Sequence, residues 1–149
     1  MQYRDKIIYT GGTFDLFHFG HVNFLRNCSN LGKVVVALNS DKFVAEFKRP
    51  TILSYQERKD CLLGCKYVSK VIKNKSGANS KPTILRVKPD VIAIGDDWST
   101  KDYYSQMGFT QEWLDSNNIV LVYLPYKKGI SSTEIRERIA GYGNTKSNH

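Results

Sequence analysis

Two histidines three residues apart, His18 and His21, stand with Gly20 between them at the end of the segment Gly11-Gly12-Thr13-Phe14-Asp15-Leu16-Phe17-His18-Phe19-Gly20-His21. Glycines directly after a short apolar run let a backbone turn tightly and approach a phosphate closely. A helix opening just beyond offers free N–H groups and a positive dipole end, both suited to an anion. Two imidazoles at this spacing can lie over the same anion and donate N–H hydrogen bonds without a fixed full charge. Histidines at a helix start also serve as caps or as part of a metal site. A metal site wants a third ligand, and neither His149 nor a cysteine stands at a recognisable spacing.

The elements that would position this segment follow from hydrophobic patterning. Lys6 to Thr10 reads as a buried strand, and a helix is expected from near His21 to about Asn30, with Val22, Leu25 and Leu31 on its apolar stripe. Lys33 to Asn39 is a nearly continuous apolar strand, the pattern of a parallel strand covered on both faces. Ser54 and Glu57 have capping-box spacing and open a helix through Leu63. Val71-Ile72 is a third strand, Lys81 to Val87 a short helix, and Val91 to Ile94 a fourth strand ending at Gly95. The pattern from Asp102 to Ser116 is helical but broken by Gly108, and Ile119 to Leu124 is the fifth strand. Ser131 and Glu134 repeat the capping spacing and open a last helix expected to end at Gly141 and Gly143.

Strands alternating with helices in this way predict βαβ units and a mainly parallel five-stranded sheet flanked by helices, an α/β fold. In open α/β sheets ligands bind beyond the carboxyl ends of the strands. The segments placed there are Thr10 to His21, Asn39 to Arg49, Gly95 to Trp98 and Pro125 to Thr133, which are also the chemically unusual stretches of the chain.

Composition narrows the class. A chain of 149 residues, 41% hydrophobic and with 4 prolines, is ordinary globular material for one domain. The apolar run before Gly11 is too short for a signal peptide, and no stretch approaches the ~20 apolar residues of a membrane span, so a cytoplasmic protein without membrane insertion is expected. Cys28, Cys61 and Cys65 are read as small apolar residues rather than disulfide partners or zinc ligands. The net charge of +8 concentrates between Asp60 and Asp90, where Lys66, Lys70, Lys73, Lys75, Lys81, Arg86 and Lys88 meet no acid. Such a field suits nucleic acid, a membrane surface or a phosphorylated small molecule, or is a solvated face. It lacks the aromatic interleaving and the standard motifs of a nucleic-acid module, so no nucleic-acid partner is expected.

The segment GGTFDLFHFGH resembles the GTFD…HxGH signature of the cytidylyltransferases. Gly129-Ile130-Ser131-Ser132-Thr133 is similar to that family's C-terminal GIST(S/T) motif, and Val91 to Trp98 (VIAIGDDW) to the GDDW segment of its glycerol-3-phosphate subgroup. The three stand in family order, with similarity from about Lys6 to Gly141. The resemblance implies a Rossmann-like nucleotidyltransferase fold over residues 1–143, followed by a polar tail at 144–149.

It also implies roles. Gly12, Thr13, Phe14, Asp15, His18, Gly20 and His21 would surround the triphosphate of CTP, the two histidines stabilising charge on the α-phosphate as pyrophosphate leaves. Ser131, Ser132 and Thr133 would hold the outer phosphates, with Lys127, Gly129 and Ile130 in the same nucleotide site and Lys127 or Lys128 standing in for the family's arginine. Asp97 and Trp98 would form the cytosine pocket. Lys48, Arg49, Arg58 and Lys66 would receive the acceptor phosphate, with Lys48 and Arg58 also counted as catalytic. Mg²⁺ is expected to arrive with CTP, and a homodimer is the family's usual form. Glycerol 3-phosphate is the first-choice acceptor; another polyol phosphate, phosphocholine or phosphoethanolamine would use the same chemistry, and an adenylyltransferase is the neighbouring alternative. The chain departs from the family where arginine-threonine-glutamate is replaced by Tyr126-Lys127-Lys128, and where 99–118 is longer and adds Tyr103, Tyr104, Phe109 and Trp113.

Overall fold

A computed structural model describes residues 5–47, 50–75, 79–96, 104, 107–126 and 130–146. Five strands, β1 (Ile7–Gly12), β2 (Lys33–Asn39), β3 (Lys70–Asn74), β4 (Val91–Gly95) and β5 (Val120–Leu124), form one sheet in the order β3-β2-β1-β4-β5. Every neighbouring pair is parallel. The helices with described bounds are α1 (Phe19–Ser29), α2 (Asp41–Phe47), α3 (Tyr55–Leu63), α4 (Lys81–Val87), α5 (Gln111–Ser116) and α6 (Ser132–Lys146). Chain order reverses about β1, so the loops leaving β1 and β4 diverge and open a crevice at their carboxyl ends.

Strand alternation sorts the core into two layers. On one face Ile8, Val34, Val36 and Leu38 meet Phe24, Leu25 and Cys28 of α1 and Leu62 of α3. On the other, Tyr9, Ala37, Ile92 and Ile94 meet Ile84 of α4 and Leu114 of α5. The sheet is therefore covered on both sides, the reason that β2 reads as an unbroken apolar run.

Several expectations change. Helix α1 begins two residues before His21, because the histidines themselves cap it, and its inner stripe is Phe24, Leu25 and Cys28 while Leu31 is exposed. Helix α2 falls in a stretch to which the sequence pattern assigns no element; the Ser40 hydroxyl caps it by accepting from the Phe43 N–H at 3.1 Å. Cys28 is buried, and burial pushes its thiol up to about 12, but Cys61 is exposed rather than apolar filling. Gly108 does interrupt the helical pattern, with φ of 75°, and α5 starts afresh with the Thr110 hydroxyl accepting from Trp113 N–H. The final helix does not stop at Gly141 and Gly143; it continues to Lys146, so residues 144–146 of the expected polar tail are helical. An interior glycine weakens a helix by roughly 1 kcal/mol relative to alanine but does not by itself terminate one.

A Cβ added at Gly141 would meet no atom within 4 Å. Gly141→Ala is therefore expected to raise stability by about 0.5–1 kcal/mol, read as a higher urea midpoint at unchanged slope.

Candidate active site

The loop after β1 is held in an unusual shape. Phe14 and Leu16 both adopt left-handed backbone, φ of 52° and 50°, which costs bulky residues of order 1 kcal/mol or more each. Asp15, between them, is 4% exposed, and its carboxylate accepts from Leu16 N–H (3.1 Å), Ile52 N–H (2.8 Å), Leu53 N–H (2.9 Å) and Arg136 Nη2 (2.7 Å). Its backbone carbonyl accepts from the Ser132 hydroxyl. One buried carboxylate thus ties the signature loop to the turn before α3 and to α6. The expected nucleotide contact from Asp15 is corrected: protein donors engage its oxygens, and it shapes the loop. Phe14 is likewise buried, its ring 2.8 Å from where a Cβ on Gly12 would stand.

The histidines build the start of α1. His18 is the N-cap and its Nδ1 accepts from Gly20 N–H at 3.1 Å, while His21 Nδ1 accepts from His18 N–H at 3.2 Å. This is a capping box made of imidazoles in place of the usual hydroxyl and carboxylate. Its chemical result is definite. With Nδ1 of each ring used as acceptor, the proton of each neutral ring sits on Nε2, so each ring keeps one further N–H donor. The rings stack, centroids 3.7 Å apart at 23°, and Phe17 stacks on the other side of His21 at 5.5 Å. His18 Nε2 is buried and has no hydrogen-bond partner.

Burial keeps the pair uncharged. It lowers the pKa of His18, and it lowers that of His21 to about 3, helped by His18 and opposed by Asp15. Cap and anion-binding roles are not rivals here: Nδ1 performs one and Nε2 is left for the other.

The carboxyl-terminal motif reaches the same place. Ile130 is buried, and its Cγ2 lies 2.8 Å from where a Gly20 Cβ would be, with His18 Cε1 at 2.9 Å. Only glycine allows the histidine ring and Ile130 to close on this backbone. The Ser131 hydroxyl caps α6 by accepting from Glu134 N–H at 3.0 Å, Ser132 grips Asp15, and Thr133 is exposed. Asp96 accepts from Tyr126 N–H at 3.2 Å, bracing the ends of β4 and β5. Asp97, Trp98, Lys127 and Gly129 lie outside the described residues, as do Lys48 and Arg49.

Arg58 differs most from expectation. It is 0% exposed; Nε donates to the Leu53 carbonyl (3.2 Å), Nη1 to the carbonyls of Thr13 (2.8 Å) and Asn39 (3.0 Å), and Nη2 to Asp41 Oδ1 (2.7 Å). A guanidinium so engaged pins the carboxyl ends of β1 and β2 and cannot also face an incoming phosphate. Lys66 is corrected too. It follows the carboxyl end of α3 and precedes β3, which puts it at the amino edge of the sheet, its Nζ 5.3 Å from the Tyr67 ring centroid. Sequence reading passed over Arg136, whose only signal is its position four residues after Ser132, and Asn39 and Asn74, polar residues that end apolar strands.

Fold, crevice and paired donors together define a nucleotidyltransferase-type α/β domain. The cytidylyltransferase-like family model matches residues 9–138. Among curated relatives, glycerol-3-phosphate cytidylyltransferase of Bacillus subtilis is 37% identical over 91% of this chain and 98% of its own length. FAD synthase of Pyrococcus horikoshii is 35% identical over 89% of this chain and 90% of its own. Solved structures share the fold: a lipopolysaccharide core biosynthesis protein from Thermoplasma volcanium has a TM-score of 0.65 at 24% identity, covering 83% of this chain and all of its own. Pantothenate synthetase from Thermus thermophilus has 0.56 at 13%, covering 95% and 72% respectively. The chain belongs to the cytidylyltransferase-like family and is a nucleotidyltransferase. No described helix is long and apolar enough to cross a membrane.

Two outcomes follow from the geometry. Arg58→Met should lower unfolding free energy by about 3–5 kcal/mol in urea titrations, because buried carbonyls lose their donor. Second, the unfolded chain protonates His21 near pH 6.5 whereas the folded protein resists to about 3. The unfolded state then binds more protons as pH falls, so this stability is complete above about 6.5 and lost progressively toward 3. Urea midpoints at pH 7, 5 and 4 should fall in that order, and less steeply in His21→Asn.

Proposed function

We propose that the chain is a CTP:alcohol-phosphate cytidylyltransferase with glycerol 3-phosphate as its acceptor, releasing pyrophosphate and a CDP-alcohol. The observation that carries this reading is the stacked histidine pair, with each Nε2–H left over from the capping bonds and that of His18 buried without a partner. A buried donor without an acceptor costs about 1–3 kcal/mol, a cost that a bound phosphate oxygen removes. Two neutral N–H donors suit the α-phosphate, where charge gathers as pyrophosphate departs.

In the proposed reaction an acceptor phosphate oxygen attacks the α-phosphorus of CTP in line, a P–O bond forms, and the bond to the β-phosphate bridging oxygen breaks. The attacking oxygen is already anionic near neutral pH, so no general base is required. Positioning and electrostatic stabilisation do the rest. His18 and His21 Nε2–H would hold α-phosphate oxygens, Thr13 the chain beside them, and Ser131 to Thr133 with Lys127 the outer phosphates. Mg²⁺ would enter bound to the triphosphate, since it keeps substrate oxygens and waters as ligands.

Asp97, by accepting from the exocyclic amine of cytosine, would choose the base, with Trp98 beside it. Lys48 and Arg49 are the cations left to the acceptor once Arg58 and Lys66 are set aside. The product would feed a surface polymer or a lipid head group, and the active form would be a homodimer. The Bacillus subtilis relative's name supports cytidylyl transfer, while the FAD synthase likeness keeps adenylyl transfer in the test.

Pyrophosphate release should be measured with CTP and ATP against glycerol 3-phosphate, other polyol phosphates, phosphocholine, phosphoethanolamine and flavin mononucleotide. Turnover with CTP and glycerol 3-phosphate is expected to exceed every other pair, and His18→Ala or His21→Ala to cut kcat roughly 10²–10³-fold. Preference for ATP would overturn the base assignment; near-normal kcat in both variants would remove the histidines from the reaction.

A further inference from the structure

A line of side-chain hydrogen bonds crosses the carboxyl ends of three strands and ends at Thr13. The Asn39 Nδ2 donates to Thr13 Oγ1 at 3.1 Å, and Asn74 Nδ2 donates to Asn39 Oδ1 at 2.9 Å. The Thr83 hydroxyl, in the first turn of α4, donates to Asn74 Oδ1 at 3.4 Å. Asn74 is 4% and Thr83 3% exposed, so water does not replace these partners. The backbone under the line is fixed independently, because Arg58 Nη1 holds the carbonyls of Thr13 and Asn39 together.

The line has a direction. An amide carries its acceptor and its donors on different atoms, so an Asn39 whose oxygen receives Asn74 must turn its NH₂ toward Thr13. Thr13 then uses a lone pair inward, and its own proton cannot return along the same bond. It is left for a partner other than Asn39. A hydroxyl with a free rotor is donor or acceptor as its surroundings require; this one is set as a donor. Such a donor suits a phosphate oxygen and opposes a competing N–H or hydroxyl donor.

We propose that Asn39 is a positioning residue for the triphosphate chain, acting through Thr13 by fixing the direction of its hydroxyl proton, with Asn74 and Thr83 fixing Asn39 in turn. This rests on the nucleotidyltransfer reading only in taking the triphosphate as the ligand beside Thr13. A tie that merely joined β1 to β2 would change stability through this same bond and leave triphosphate affinity unchanged.

The test is a double-mutant cycle of Thr13→Val, Asn39→Ala and the pair, with Mg²⁺ present. Dissociation constants for inorganic tripolyphosphate and for CTP without acceptor are read by calorimetry, alongside thermal unfolding and pyrophosphate release. Each single variant is expected to weaken tripolyphosphate and CTP about tenfold, the scale of one hydrogen bond to a charged acceptor. The double variant should bind no more weakly than Thr13→Val. If Asn39→Ala does not fold, Asn39→Asp gives the same cycle. It keeps the acceptor for Asn74 but takes the Thr13 proton for itself, so its loss should exceed tenfold and shrink when position 13 is valine. Losses that multiply in the double variant, or unchanged binding in Asn39→Ala, overturn the proposal. A wild-type protein that binds tripolyphosphate yet turns over no nucleotide would sink the reaction and leave the relay standing; one that binds neither ligand sinks both.

Discussion

The Asp15 carboxylate, buried between two left-handed residues, is the point on which the site depends. The bends at Phe14 and Leu16 are unfavourable alone and persist because the carboxylate is engaged from three parts of the chain at once. Its partners are the loop's own Leu16 N–H, two amides of the turn before α3, and Arg136 of α6. Four donors on one carboxylate are a charge-assisted arrangement stronger than neutral bonds of the same number. By holding both neighbours it decides where Ile130 and Ser131 lie relative to the histidines, and Ile130 meets Gly20 as a consequence.

A second knot works beside it. Arg58 spreads its guanidinium over carbonyls from β1, β2 and the 53 turn, with Asp41 as counter-ion. Strand ends at a ligand crevice have no further sheet partners for their carbonyls, and a buried arginine is one way to satisfy several of them. Between the two knots the signature loop is fastened on both sides, which lets two uncharged imidazoles stack at a helix start without charge repulsion between them.

Neutrality is a choice with chemical meaning. A pair of imidazolium rings would bind a triphosphate more strongly in the ground state as well as in the transition state. Neutral Nε2–H donors in a partly dry site gain most where charge is developing, which in the proposed reaction would turn binding into catalysis. The same capping bonds that start α1 set the tautomers, so the fold and the proposed chemistry would use opposite edges of the same two rings.

The order of strands and helices was legible because each strand is an apolar run bounded by turn residues, and because most helix starts carry caps. Gly20 and the histidine pair were legible because helix caps leave signs within a few residues, whereas Gly11 and Gly12, read as a turn after the strand, are the last two residues of β1. What the residue string could not show is which polar groups find one another over distance. Arg58 looks like a phosphate ligand in its helix and becomes a buried clamp only when β1, β2 and the 53 turn converge on it. Asp15 looks like a ligand until Arg136, 121 residues away, reaches it. Local order is set by dihedral preference and the period of apolar residues, which neighbours along the chain determine. The fate of a charge is set by desolvation and by partners, and only the folded chain supplies those.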